Sequence, residues 1–418
     1  MKFSRAASIA LAIASFVPTC TNAFSPSTPV FSSRTLSKST LNLSTASAAT
    51  TDKAAETMPP DFAAVYKGII AKLDGKIPET MQEPLIHFIT EYVTACANHP
   101  ETKAEDAAKI VEGIKLGMTY GMGENMYKFG NTHKAIRSDS ENNPQPGLDF
   151  YDFGVDFFKN TVDIPGSVVL GEDNAKRAFE NIKKGENVVF LANHQSEADP
   201  QVFSICLEKI GLKEEAAEVI YVAGHKVTTD ALAIPFSMGR NLLCIHSKKH
   251  IDAEPEMKGE KQKQNLASMS AMLGMLREGG TALWVAPSGG RDRRNVETGD
   301  VPIAQFDQKT IDMFRLMGNK SKVKTHFYPL AMVSYELCPP PDTVEIGVGE
   351  RRNVRYTSIG VAIGKEVPNV GGVDSRHLFT DHAFEECQED YEKLLKAIAE
   401  KKEEVKEEKT ETPEKPPL

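Results

Sequence analysis

Acidic residues are absent from the first 51 positions, which carry Lys2, Arg5, Arg34 and Lys38 among Ser, Thr and Ala. That composition belongs to targeting segments and excludes this stretch from the fold. An excess of basic charge is also missing. With 49 Lys and Arg against 58 Asp and Glu, the net charge is −9, so general nucleic-acid binding is not expected. Any anionic ligand must meet a local basic cluster. The six cysteines, Cys20, Cys96, Cys206, Cys244, Cys338 and Cys387, show no C-x-x-C spacing. Neither a zinc site nor a disulfide framework follows from them, and buried thiols in a reducing compartment are expected. Beyond residue 23 no apolar run is long enough to span a membrane, and no internal repeat is present. Residues 401–418 are rich in Lys, Glu and Pro and poor in apolar side chains, which reads as a disordered tail.

The acid-free leader has two parts. Lys2 and Arg5 precede an apolar run from Ala6 to Val17, followed by the small residues around Thr21-Asn22-Ala23, so residues 1–23 read as a signal peptide. Residues 24–51, beginning Phe24-Ser25-Pro26, are basic and hydroxylated like a transit peptide. The tandem resembles the bipartite presequence of algae whose plastids came by secondary endosymbiosis, and it implies delivery to the plastid stroma. A secreted protein with an unstructured N-terminus is the alternative.

From residue 61 to about 123 the apolar period is helical. Phe62, Val65, Tyr66, Ile69, Ile70 and Leu73 share a face, as do Leu85, Ile89, Tyr92, Val93 and Cys96. Residues 55–135 therefore read as a small helical bundle, with no chemically arranged side chains. A Pro/Gly/Asn-rich link at 141–147 marks a boundary. From 145 to 400, strand-like runs at 167–170, 188–192, 219–223, 242–246, 282–286, 326–333, 344–348 and 359–363 alternate with helical patterns at 174–184, 199–210, 261–278 and 308–317. A last helix is expected from about residue 381. The fold class is α/β: a mixed, largely parallel sheet flanked by helices, preceded by the N-terminal helical bundle.

The organising stretch is Val188-Val189-Phe190-Leu191-Ala192-Asn193-His194-Gln195-Ser196-Glu197-Ala198-Asp199-Pro200. A short apolar strand breaks into polar residues, and Pro200 suits the first turn of a helix. His194 and Asp199 thus fall at the C-terminal mouth of a strand, where open α/β sheets place their ligands. A carboxylate accepting from one imidazole nitrogen fixes the tautomer and leaves the other nitrogen as a base. Asp199 as a plain helix cap is the blander reading. Two basic clusters tip the balance. Ser247-Lys248-Lys249-His250 and Pro287-Ser288-Gly289-Gly290-Arg291-Asp292-Arg293-Arg294 each follow another apolar strand. Arg291 and Arg293 suit bidentate phosphate recognition, and the paired glycines let backbone N–H groups approach a ligand.

Asn193–Pro200 resembles the first motif of the glycerolipid acyltransferases. Pro235-Phe236-Ser237-Met238-Gly239-Arg240-Asn241, the two basic clusters, Phe327-Tyr328-Pro329-Leu330-Ala331 and Pro339-Pro340-Pro341 together resemble the soluble plastid glycerol-3-phosphate acyltransferases. The resemblance spans residues 61–399. It implies acyl transfer from acyl-acyl carrier protein, with acyl-CoA as an alternative donor, to the sn-1 hydroxyl of glycerol 3-phosphate, giving lysophosphatidic acid. It further implies His194 and Asp199 as the catalytic pair and Lys249, His250, Arg291 and Arg293 as the glycerol-phosphate site. His225-Lys226 and Ser334–Cys338 depart from the plant pattern. Arg294 stands where plant forms carry Pro, placing a third basic group near the site.

A thioester is already activated, so no metal or cofactor is required. Backbone N–H groups near the helix start at Pro200 are expected to receive the oxyanion. Rival readings are a hydrolase using Ser288, although Ala286-Pro287-Ser288-Gly289-Gly290 lacks the first Gly of G-x-S-x-G, and a non-enzymatic phospholipid-binding or carrier-docking protein. A metal site at His194, Asp199 and His250 would lack a dense ligand set.

Overall fold

The computed structural model describes residues 45–73, 79–247, 251–252, 254–340, 351–370 and 375–411. Five N-terminal stretches are helical: α1 (Thr45–Glu56), α2 (Pro60–Leu73), α3 (Glu79–Asn98), a 3₁₀ turn (Ala104–Ala108) and α4 (Lys109–Tyr120). The strands are β1 (Thr132–His133), β2 (Val168–Leu170), β3 (Asn187–Ala192), β4 (Ile220–Gly224), β5 (Asn241–Ile245), β6 (Ala282–Val285), β7 (Thr325–Val333) and β8 (Gly360–Ile363). Between and after them lie α5 (Phe150–Lys159), α6 (Glu172–Lys183), α7 (Asp199–Lys209), α8 (Lys213–Glu218), α9 (Ile234–Met238), α10 (Lys258–Glu278), α11 (Gln308–Ser321) and α12 (Arg376–Glu411). The strand expected at 344–348 lies outside the described residues.

The eight strands form one sheet in the order β1-β5-β4-β6-β3-β7-β8-β2. Its five central strands run parallel. The sheet is mixed because β1 pairs antiparallel with β5, and β8 antiparallel with β7. Parallel strands buried on both faces need apolar residues at every position, and β3 is buried throughout. Its side chains alternate between two cores. Val188, Phe190 and Ala192 join α5, α6, α7 and the N-terminal helices, while Val189 and Leu191 join α10, α11 and α12. This is the period-two geometry of a strand between two helical layers.

The N-terminal helices are not a separately cored unit. Their apolar faces merge with the first of those cores, and Tyr92 stacks on Phe157 of α5 at 4.2 Å between ring centroids. Tyr92 also donates its hydroxyl to the Phe157 carbonyl at 3.0 Å. Gly171 opens α6 at φ 71°, and an added Cβ there would meet the Ile363 carbonyl oxygen at 2.0 Å. Only glycine allows that approach to β8.

Residues 401–411, expected to be disordered, continue α12 instead. The reason is local: Lys and Glu are good helix formers, and pairs such as Lys401–Glu404 at 2.9 Å support the exposed turns. Cys96, Cys206, Cys244, Cys338 and Cys387 are buried free thiols; Cys20 lies outside the described residues. Among the described residues, no helix is long and apolar enough to cross a membrane.

Candidate active site

Where β3 ends, the chain turns into α7 and folds its polar residues around the first carboxylate of that helix. Asp199 Oδ2 accepts from His194 Nδ1 at 2.7 Å and from the Gln195 N–H at 2.9 Å. Its Oδ1 accepts from the Ser196 N–H at 3.1 Å, from the Ser196 hydroxyl at 3.0 Å and from the Ser334 hydroxyl. Asp199 is fully buried, whereas the His194 side chain is 28% exposed. The carboxylate is therefore sealed and the imidazole is reachable. With the hydrogen on Nδ1 directed at Asp199, Nε2 is left to take a proton, and no described residue bonds it. The rings of Trp284 on β6 and His194 stand nearly perpendicular, with centroids 5.8 Å apart.

The second basic cluster arrives from the end of β6. Gly289 turns at φ 70°, a conformation that favours glycine, and the chain then passes beneath the His194 turn. Arg291 Nη1 lies 3.6 Å from Glu197 Oε1, so the structure brings this arginine to the same turn as the His/Asp pair. Asp292, between the two arginines, is fully buried and its N–H donates to the His194 carbonyl at 2.6 Å. Arg293 is exposed. Arg294 turns away. Its guanidinium bonds Glu336 and the Gly299 carbonyl and lies over the Tyr335 ring at 4.9 Å, so it is engaged elsewhere and does not enlarge the basic site. Lys249 and His250 lie outside the described residues. Strands β4 and β5 end at the same mouth, where His225 and His246 stack at 4.3 Å.

Some of the N–H groups expected to receive the oxyanion are already engaged. The N–H groups of Gln195 and Ser196 serve Asp199, that of Ala198 serves the Ser196 hydroxyl, and that of Asp199 serves the Ser196 carbonyl. Pro200 has none. Those four donors hold the turn itself, while no described group pairs the N–H of Glu197 or Gln201 at the same helix start. The Ser288 hydroxyl donates to the Gly290 carbonyl at 3.0 Å, and no described base reaches it.

Several site residues escaped the sequence reading. Glu197 accepts from Arg352 Nε at 2.9 Å, and Arg352 Nη2 reaches Asp230 at 2.9 Å. Burial pushes the Glu197 carboxyl up, but Arg352 and Arg291 outweigh it and hold the group down at about 2. Gln195 accepts from the Ser334 and Tyr335 N–H groups and donates to Tyr391 on α12 at 3.0 Å. That ties the last helix to the His194 turn. None of these partners is signalled locally in sequence.

An acyltransferase family model matches residues 175–333, the stretch from α6 through β7. A chloroplastic glycerol-3-phosphate acyltransferase of Cucurbita moschata is 35% identical over 293 residues, covering 70% of this chain and 62% of that protein. The chloroplastic glycerol-3-phosphate acyltransferase of Arabidopsis thaliana is 34% identical over 339 residues, covering 78% of this chain and 70% of its own. That of Spinacia oleracea is 35% identical over 296 residues, covering 70% and 60% respectively. The chain thus spans less than two thirds of the length of the first and third of these proteins.

Proposed function

The chain belongs to the chloroplastic glycerol-3-phosphate acyltransferase family, and we propose that it acylates glycerol 3-phosphate at the sn-1 hydroxyl. The acyl donor is acyl-acyl carrier protein, with acyl-CoA as an alternative, and the product is lysophosphatidic acid. The reaction opens glycerolipid synthesis in the plastid stroma. The observation that carries this reading is the asymmetric His194–Asp199 pair, one partner sealed and the other open, with Arg291 held beside it.

In this mechanism the acceptor hydroxyl loses its proton to His194 Nε2 as its oxygen attacks the thioester carbonyl. Asp199 holds the ring and stabilises the imidazolium that forms. Collapse of the tetrahedral intermediate breaks the C–S bond, and the proton on Nε2 passes to the leaving thiolate. No proton is gained or lost overall. Arg291, Arg293, Lys249 and His250 bind the phosphate and hold the hydroxyl over Nε2, so that acceptor and thioester react as neighbours. Glu197 supports the assignment by keeping Arg291 against the turn.

The test is product analysis with purified protein, glycerol 3-phosphate and a panel of acyl thioesters. The expected product is 1-acylglycerol 3-phosphate with stoichiometric thiol release. Thiol release that is independent of glycerol 3-phosphate would make this a hydrolase. For residues 1–51, a fluorescent fusion should enter the plastid, and deleting residues 1–23 should leave it in the cytosol. Secretion of the intact fusion would refute the targeting reading.

A further inference from the structure

Asp292 lies between the two arginines assigned to the phosphate, yet it points the other way and is fully buried. Its polar groups meet two other segments. The backbone N–H donates to the His194 carbonyl at 2.6 Å. Oδ2 accepts from Asn193 Nδ2 at 2.9 Å, and Oδ1 accepts from the Ala304 N–H at 2.9 Å, in the stretch leading to α11. Asn193 is itself locked. Its Nδ2 also donates to the Met332 carbonyl at 3.1 Å, and its Oδ1 accepts from the Met332 N–H at 2.7 Å. The turn after β3 and the stretch before α11 therefore close on one carboxylate of the loop after β6, and β7 is held to it through Asn193.

For folding alone this is an expensive choice. Burial pushes the Asp292 carboxyl up to about 6, against the Ala304 and Asn193 N–H groups that pull it down, and nearby Asp199 adds to the rise. Ionisable groups that face it are His194 and Asp199 from the catalytic turn and Cys387 and Tyr391 from α12. A charged group kept in such surroundings is more economically explained by a task at the site than by stability.

We propose that Asp292 is a positioning residue that holds the His194 base and the Arg291/Arg293 phosphate clamp in a single register. This rests on the acyltransferase reading above. The residue touches no reacting atom. It acts by fixing the backbone on both sides, so that one rigid joint sets the distance between hydroxyl and phosphate subsites. A shift of about 1 Å between reacting groups can cost about a hundredfold in rate, which sets the scale of the effect.

The test is Asp292→Asn. This variant keeps the volume but turns one acceptor into a donor facing either Asn193 Nδ2 or the Ala304 N–H, and Asn193 cannot flip without losing both bonds to Met332. Turnover on glycerol 3-phosphate and on plain glycerol, binding of glycerol 3-phosphate by calorimetry, and thermal midpoint should be measured in wild-type and His194→Ala backgrounds. With His194 present, turnover on both acceptors should fall at least about tenfold, and binding of glycerol 3-phosphate should weaken. With His194→Ala, single-turnover thioester loss should fall no further, because the joint has no base left to position, while binding still weakens. A merely structural residue would lower the residual rate in both backgrounds alike, and that result overturns the proposal. So does an unchanged turnover in a folded Asp292→Asn protein. Should that variant not fold, Asp292→Ser is read against the same outcomes. If the wild type itself transfers no acyl group to glycerol 3-phosphate, the acyltransferase reading has failed, and that is distinguishable from a failure of the joint.

Discussion

Two histidines face carboxylates at opposite ends of the same sheet. At the C-terminal end, just past β3, His194 gives Nδ1 to Asp199 at 2.7 Å and keeps Nε2 open. At the other end, near the start of β7, His326 meets Glu366 through Nδ1 at 2.7 Å and Glu186 through Nε2 at 2.8 Å. His326 is 2% exposed and His194 is 28% exposed. The same residue types leave one ring nitrogen open in one place and make a closed staple in the other. What separates them is the unused nitrogen and its access to solvent. His326 joins three segments, those of Glu186, β7 and Glu366, and has no nitrogen left for a substrate.

The sharpest way to break this comparison is to remove each ring in turn. His194→Ala should lower turnover by at least about a hundredfold, the minimum typical of a lost general base, while glycerol 3-phosphate still binds in a calorimeter. His326→Gln should leave turnover within about threefold and lower stability by about 1 kcal/mol or more, since the buried ring loses a carboxylate contact. Chemical denaturation and thiol release on both proteins check this. A catalytic loss from His326→Gln as large as that from His194→Ala would erase the distinction.

Next in size is Asp199→Asn. An amide cannot accept from every donor that now surrounds this side chain, and it no longer fixes the tautomer. Turnover should fall by about a hundredfold or more, read in the same assay. Smaller again is the effect of the two arginines proposed to bind the phosphate. Arg291→Ala or Arg293→Ala should weaken glycerol 3-phosphate by about 2 kcal/mol, roughly thirtyfold, with a much smaller effect on plain glycerol as acceptor. Arg→Lys at either position should still weaken it, because the fork is lost. Arg294→Ala should do little to either acceptor, since Glu336 and Gly299 already hold that side chain.

The smallest expected effects are in the pH dependence of stability, where Glu197 and Asp292 act in opposite directions. Glu197, held at about 2 in the fold, contributes stability that is present above the ordinary carboxylate range and lost as pH falls toward 2. Asp292, raised to about 6, contributes stability that is present below about pH 4 and lost as pH rises through 6. Thermal midpoints from pH 3 to pH 7 should therefore show a shallower acid limb in Glu197→Gln. The wild-type decline between pH 4 and pH 6 that is due to Asp292 should vanish in Asp292→Asn. Superimposable profiles would mean that neither group is coupled to folding.

Much of the sheet was legible because its strands are buried on both faces and so read as apolar runs. The runs at 188–192 and 282–286 match β3 and β6 to within a residue. The two-residue β1 and the reversed edge of β8 were not legible, since two residues carry no period and sheet direction leaves no mark on composition. At the site, His194 and Asp199 could be found because one turn holds both. Arg352 and Ser334 could not, because they meet Glu197 and Asp199 across 155 and 135 residues of chain. Arg291 and Arg294 look alike in sequence; their partners, Glu197 and Glu336, tell them apart.

The proposed role of His194, a base for an acceptor held by its phosphate, can be tested in a single experiment. The most direct measurement is the pre-steady-state rate of thiol release from an acyl-carrier thioester by wild-type and His194→Ala protein, each with saturating glycerol 3-phosphate. A fast, acceptor-dependent phase is expected in the wild type and should be lost in the variant, with glycerol 3-phosphate affinity preserved in both. An equally fast acceptor-dependent phase in His194→Ala would contradict it.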